Sequence, residues 1–205
     1  RGPQPGLEPG LVVIHHDAGV GGVAGAALPV HQGGAAAVAA LEFHGQEAVL
    51  NGLFAAIEVG DMQLPKAGQY GYMKIPENVK ITQEFPMVLN DAGTIGLSLN
   101  GKAFPETAPV AANLGDYFLV HYYNEGLVGH PMHLHRQPQL VIAKDGFPLA
   151  SPYQADTIWI SPGERYSVLV HADEVGTWAF HCHIVSHAEN DDGLFGMVTA
   201  MVVSE

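Results

Sequence analysis

Near the end of the chain, Phe180-His181-Cys182-His183-Ile184-Val185-Ser186-His187 sets one thiol between two imidazoles and adds a further imidazole shortly after. Cys182 is the only cysteine in the protein. In an extended segment successive side chains leave opposite faces, so His181 and His183 project one way and Cys182 the other. An earlier cluster, Gly129-His130-Pro131-Met132-His133-Leu134-His135, repeats the alternation, with His133 and His135 sharing a face. A thiolate with imidazoles is a soft, nitrogen-rich donor set that suits copper, with zinc as the competitor. His130, Cys182 and His187 would form a trigonal two-histidine, one-cysteine site, the geometry of blue copper centres. The imidazoles of His133, His135, His181 and His183 can converge on a separate site behind the cysteine strand.

The elements that must position these groups are strands. From Asn78 onward, Gly, Pro, Asn and Asp punctuate short apolar runs. Eight strands are predicted: Val79–Asn90, Thr94–Leu99, Tyr117–Tyr123, Gln139–Ala143, Thr157–Ile160, Tyr166–His171, Thr177–Cys182 and Phe195–Val203. No segment carries a long 3.6-residue period, so the fold class is all-β, an antiparallel sandwich. Before that region, Leu11–Ile14 reads as a short strand, and residues 18–40 are mostly Gly, Ala and Val. Strands are predicted to end at Phe43-His44 and to run from Leu53 to Val59. The Gly- and Pro-containing stretch 61–77 reads as a linker.

Composition narrows the function. The formal charge is −13 with only 8 Lys and Arg, which argues against nucleic acid as partner. No apolar run approaches the roughly 20 residues of a membrane span. One cysteine allows no internal disulfide, while 12 histidines in 205 residues fit metal ligation. The chain opens at Arg1 without a signal-peptide pattern and reads as a mature or trimmed polypeptide.

The two clusters resemble the paired motifs of the multicopper oxidases, laccase-like enzymes, in their C-terminal cupredoxin domain. The two clusters agree with that family in order and separation, and Leu99-Asn100-Gly101-Lys102-Ala103-Phe104-Pro105, Pro162-Gly163-Glu164-Arg165-Tyr166 and Gly176-Thr177-Trp178 are further family-like features; the resemblance covers about residues 79–205. The resemblance implies a cupredoxin-like Greek-key β-sandwich over 78–205. Residues 1–60 would be the tail or remnant of a second cupredoxin-like domain. It further implies copper as cofactor: a type 1 site at His130, Cys182 and His187, and type 2/type 3 ligands at His133, His135, His181 and His183. Electrons from a phenolic, aromatic amine or metal-ion reductant would pass through Cys182 and its neighbours His181 and His183 to a trinuclear cluster, where dioxygen is reduced to water. Such enzymes are periplasmic or extracellular. At the position of the weak axial ligand this sequence has Leu194, with Met197 as the alternative.

The resemblance also implies that another domain supplies half the cluster histidines, usually as His-X-His pairs. Residues 1–77 hold His15, His16, His31 and His44 and no such pair, and Glu42 stands where one histidine of a pair is expected. Completion then requires another subunit, as in a homo-oligomer such as a trimer, a companion chain, or a further piece of this same polypeptide. The alternative reading is an electron-transfer or copper-binding cupredoxin with only the type 1 site. His121 and His171 fall in strand patterns as structural residues, and Trp178 and Phe180 as packing residues. Asp191 and Asp192, after His187, read as a solvated loop able to meet a donor.

Overall fold

The structure, a computed structural model, describes residues 14–16, 35–38, 50–52, 54, 56–59 and 62–205. Strands β1 (Ile14–His16), β2 (Ala35–Val38) and β3 (Ala56–Val59) form a small sheet in the order β1-β3-β2. The strand expected to end at Phe43-His44, and His31 and Glu42, lie outside the described residues. A hairpin of β4 (Gly68–Tyr70) and β5 (Met73–Ile75) follows. The stretch read from its Gly and Pro content as a linker thus carries structure of its own.

The remaining strands are β6 (Ile81–Ala92), β7 (Gly96–Leu99), β8 (Val110–Asn113), β9 (Tyr117–Asn124), β10 (His130–Leu134), β11 (Gln139–Lys144) and β12 (Phe147–Ala155). They continue with β13 (Thr157–Ile160), β14 (Arg165–His171), β15 (Gly176–Cys182), the two-residue β16 (Glu189–Asn190) and β17 (Gly193–Leu194), and β18 (Val198–Ser204). Two sheets make the sandwich: β13-β10-β15-β18-β8 and β12-β11-β14-β9-β6-β7. All ladders in them are antiparallel except β6 with β9 and β8 with β18, where the chain crosses over.

The inner faces interdigitate around Phe118, Val120, Tyr122, Met132, Leu134, Val168, Phe180 and Cys182. The outer face of the six-stranded sheet is covered as well. Leu119, Leu140, Ile142 and Leu169 pack against Met73 and Ile75 of the hairpin, and Tyr123 and Val88 against Phe54 and Ala56. Burial on both faces matches the largely apolar composition of β9, interrupted by His121.

Each of the eight strands predicted from punctuation has a counterpart, with ends shifted by a few residues. The sandwich strands not predicted are β8, β10 and β12. Both β8 and β12 are sheet edges, and β12 contains Pro148 and Pro152, which an edge strand tolerates because one side of its ladder is unpaired.

Candidate metal centre

Strands β10 and β15 are neighbours, and their register places His133 opposite His181 and Met132 opposite Cys182. Alternation then sorts the side chains. His130, Met132, Leu134, Phe180 and Cys182 are buried on the inner face, while His133 and His181 are half-buried and His135 and His183 exposed on the outer face.

On the inner side His130 Nδ1 and His187 Nδ1 each lie 3.7 Å from Cys182 Sγ, and the two rings are 5.3 Å apart. His187 enters from the short 3₁₀ turn Val185–His187. Burial pushes the Cys182 thiol up to about 11, against the Ile184 N–H, so the metal-free sulfur is protonated at neutral pH. Burial likewise drives His130 down to about 4, with Asp91 pulling the other way. His187 is lowered by burial, again opposed by Asp91. Neutral rings and a thiol that a metal ion can deprotonate are what a His₂Cys site needs.

On the outer side the ring nitrogens of His133, His135 and His181 come within 4.8 Å of one another. His135 Nε2 meets His181 Nε2 at 3.1 Å, so one of the two nitrogens carries the proton between them. His183 lies beside the trio, its ring 5.3 Å from His133 and 5.5 Å from His181. The second nitrogens are anchored. His133 Nδ1 is 3.0 Å from both the Asp156 carbonyl and the Thr157 hydroxyl, and His181 Nδ1 donates to the Cys182 carbonyl at 3.0 Å. Such bonds fix tautomer and ring orientation; with Nδ1 donating to the Cys182 carbonyl, His181 Nε2 carries the lone pair and His135 Nε2 the proton between them. The His181 bond also links the outer cluster to the Cys182 backbone.

The seven predicted donors therefore lie in two groups on opposite sides of the sheet that β10 and β15 form, with His183 at the margin of the outer group. The axial candidates separate. Leu194 is 57% exposed on the β16–β17 hairpin, whereas Met197 is fully buried in the apolar cluster that contains Cys182. The Met197 N–H donates to the His187 carbonyl at 2.8 Å, and its carbonyl accepts the Cys182 N–H at 3.0 Å. Asp191 and Asp192 are exposed in the hairpin turn. His121 is buried with Nδ1 on the Ser167 hydroxyl at 2.8 Å and Nε2 on Glu84 at 3.0 Å, and His171 stacks on Tyr117 at 4.2 Å. Both make the kind of packing and hydrogen-bond contacts expected from their strand positions. Asp91, whose carboxylate reaches His130, was not singled out by any sequence pattern.

Comparison with known proteins agrees with this geometry. A family model described as multicopper oxidase matches residues 72–205. Copper resistance protein A of Escherichia coli is 34% identical over 92 residues, 45% of this chain and 15% of that protein. A laccase of Haloferax volcanii is 32% identical over 146 residues, 66% of this chain and 24% of that protein. The crystal structure of a blue copper oxidase from Nitrosomonas europaea superposes with a TM-score of 0.64 at 28% identity, covering 78% of this chain and 53% of that one. The chain thus spans a quarter or less of these curated relatives and about half of the solved structure. With more than half of its residues matched by the family model, the chain belongs to the multicopper oxidase family.

Proposed function

We propose that this chain is the type 1 copper domain of a copper-dependent oxidoreductase. It would take single electrons from a reductant at His130, Cys182 and His187 and contribute His133, His135, His181 and His183 to the site where dioxygen is reduced. The observation that supports this most is the division of donors across β15, with sulfur on the inner face and imidazoles on the outer. The donor chemistry fits copper: two Nδ1 atoms and one sulfur converge in a buried pocket, and the outer nitrogens turn towards one another. Copper bound there supplies one-electron chemistry with dioxygen as the terminal acceptor, reduced to water.

The chain's own residues account for the rest. His187 is half-buried and brings the edge of the inner site towards solvent, where a phenolic, aromatic amine or metal-ion donor can approach. Cys182 joins the two groups through its peptide bonds to His181 and His183 and through the carbonyl that His181 Nδ1 holds. Phe180 and Met132, both fully buried, keep water from the sulfur. The outer imidazoles occupy one face only, so the remaining donors would come from a further domain or from another subunit of an oligomer such as a trimer. A periplasmic or extracellular location fits the relatives. Among the described residues no helix is long and apolar enough to cross a membrane.

Copper-loaded protein should absorb strongly in the visible, and Cys182→Ser should abolish both that band and oxidase turnover. Retention of the colour in the variant would reject the assignment. The exposed, one-sided position of His135 and His183 favours one second reading, an electron carrier using the inner site alone. Copper content per chain in the native assembly separates them: one ion for the carrier, three or more for the oxidase.

A further inference from the structure

Asp91 stands near the end of β6, in the sheet facing the one that carries His130. Its side chain is 6% exposed. Oδ1 accepts the Leu127 N–H at 2.7 Å and Oδ2 accepts the Val128 N–H at 2.9 Å. The same Oδ2 faces His130 Nε2 across 3.4 Å. His130 is fully buried, and its Nε2 makes no hydrogen bond of ordinary geometry. Burying an N–H without compensation is costly, and the Asp91 carboxylate is the group that faces it. The approach has been given room. A Cβ at Gly126 would sit 2.8 Å from Asp91 Oδ1 and 3.1 Å from His130 Nε2, closer than side chains pack.

We propose that Asp91 is a positioning residue for the inner metal site: it holds the His130 ring with its proton on Nε2, turns the Nδ1 lone pair to the metal beside Cys182, and sets a buried negative charge one imidazole away from it. The inference rests on the copper reading of His130, Cys182 and His187. It follows the general behaviour of metal-bound histidines, whose second nitrogen donates to a carboxylate or carbonyl that fixes the tautomer and raises ligand basicity. A merely structural role, tying the 126–129 loop to β6, would use the two backbone amides and leave the imidazole indifferent.

The test has a metal-free arm and a copper arm. In the metal-free full chain, nitrogen NMR of the histidine rings should show His130 as the Nε2–H tautomer, and Asp91→Asn should reduce that preference. In the copper-loaded chain, Asp91→Asn should keep a blue band but shift the reduction potential upward and alter the copper hyperfine splitting. Asp91→Glu, which retains the charge, should lie nearer the wild type in potential. Gly126→Ala, which crowds the contact without touching either partner's chemistry, should also change the splitting. A wild-type ring protonated on Nδ1, or an Asp91→Asn potential and spectrum equal to wild type, would overturn the proposal. If Asp91→Asn does not fold, the wild-type tautomer and the Gly126→Ala spectrum decide it. Failure of the copper reading shows separately, as a wild-type protein that takes up no copper or stays colourless whatever its tautomer.

Discussion

At the scale of residues, the metal-free centre is an electrically neutral trio. His130 is held at about 4 and Cys182 at about 11, both chiefly by burial. The His130 shift has a consequence for stability. The folded ring resists a proton that the unfolded ring accepts at about 6.5, so its contribution is intact above pH 6.5 and is lost as pH falls towards 4. From 6.5 to about 4, at about 1.4 kcal/mol for each pH unit, that loss is roughly 3 kcal/mol. His181 and His187 are lowered in the same direction by burial and add to it. Thermal melts of the metal-free protein at stepped pH should show this decline, and His130→Gln should flatten part of it. An unchanged melting temperature across that window would mean that His130 is not buried as a neutral ring. The seven candidate donors were legible in the sequence through the spacing of the two clusters, and the pairing of β10 with β15 sorts them by face, except His187, which comes from the 3₁₀ turn. Asp91 was not, because its contact with His130 depends on how one sheet lies over the other and leaves no mark in spacing.

At the scale of elements, the axial position shows what a local hairpin does. Motif alignment puts Leu194 beside the copper, yet Glu189–Asn190 and Gly193–Leu194 pair as a hairpin whose turn is Asp191-Asp192, and Leu194 points outward. Met197 follows as a fully buried side chain whose backbone bonds to both His187 and Cys182. Chemical denaturation should therefore find Leu194→Ala within about 0.5 kcal/mol of wild type, as for an exposed site. Met197→Ala should cost about 2–5 kcal/mol, as for a buried large-to-small change. A shift of the blue band on Leu194→Ala would place that side chain at the copper in spite of its exposure. Strand β15 was read correctly because both of its ladders are filled and its alternation is clean. The edge strand β12 was missed because its prolines and mostly exposed positions carry neither alternation nor an apolar run.

At the scale of the molecule, one sheet thickness separates two kinds of chemistry. Cys182 and His130 face the sandwich core, so their geometry is set within this chain. His133, His135, His181 and His183 lie on the opposite face, and among the described residues His135 and His183 are left exposed. A site built on an open sheet face binds as many ions as the surface opposite allows, whereas the inner site is complete with or without that surface. The two should therefore separate in a variant. His135→Ala in the native assembly should lower the copper content and abolish dioxygen consumption while the blue absorption persists, because the inner donors lie across the backbone from the change. Native mass measured alongside copper content then identifies the source of the missing donors. If a second copy supplies them, dilution that dissociates the assembly should release the outer copper before the blue colour fades. Simultaneous loss of both would mean that the inner site also depends on the partner surface, against the full burial of His130 and Cys182 within this one chain.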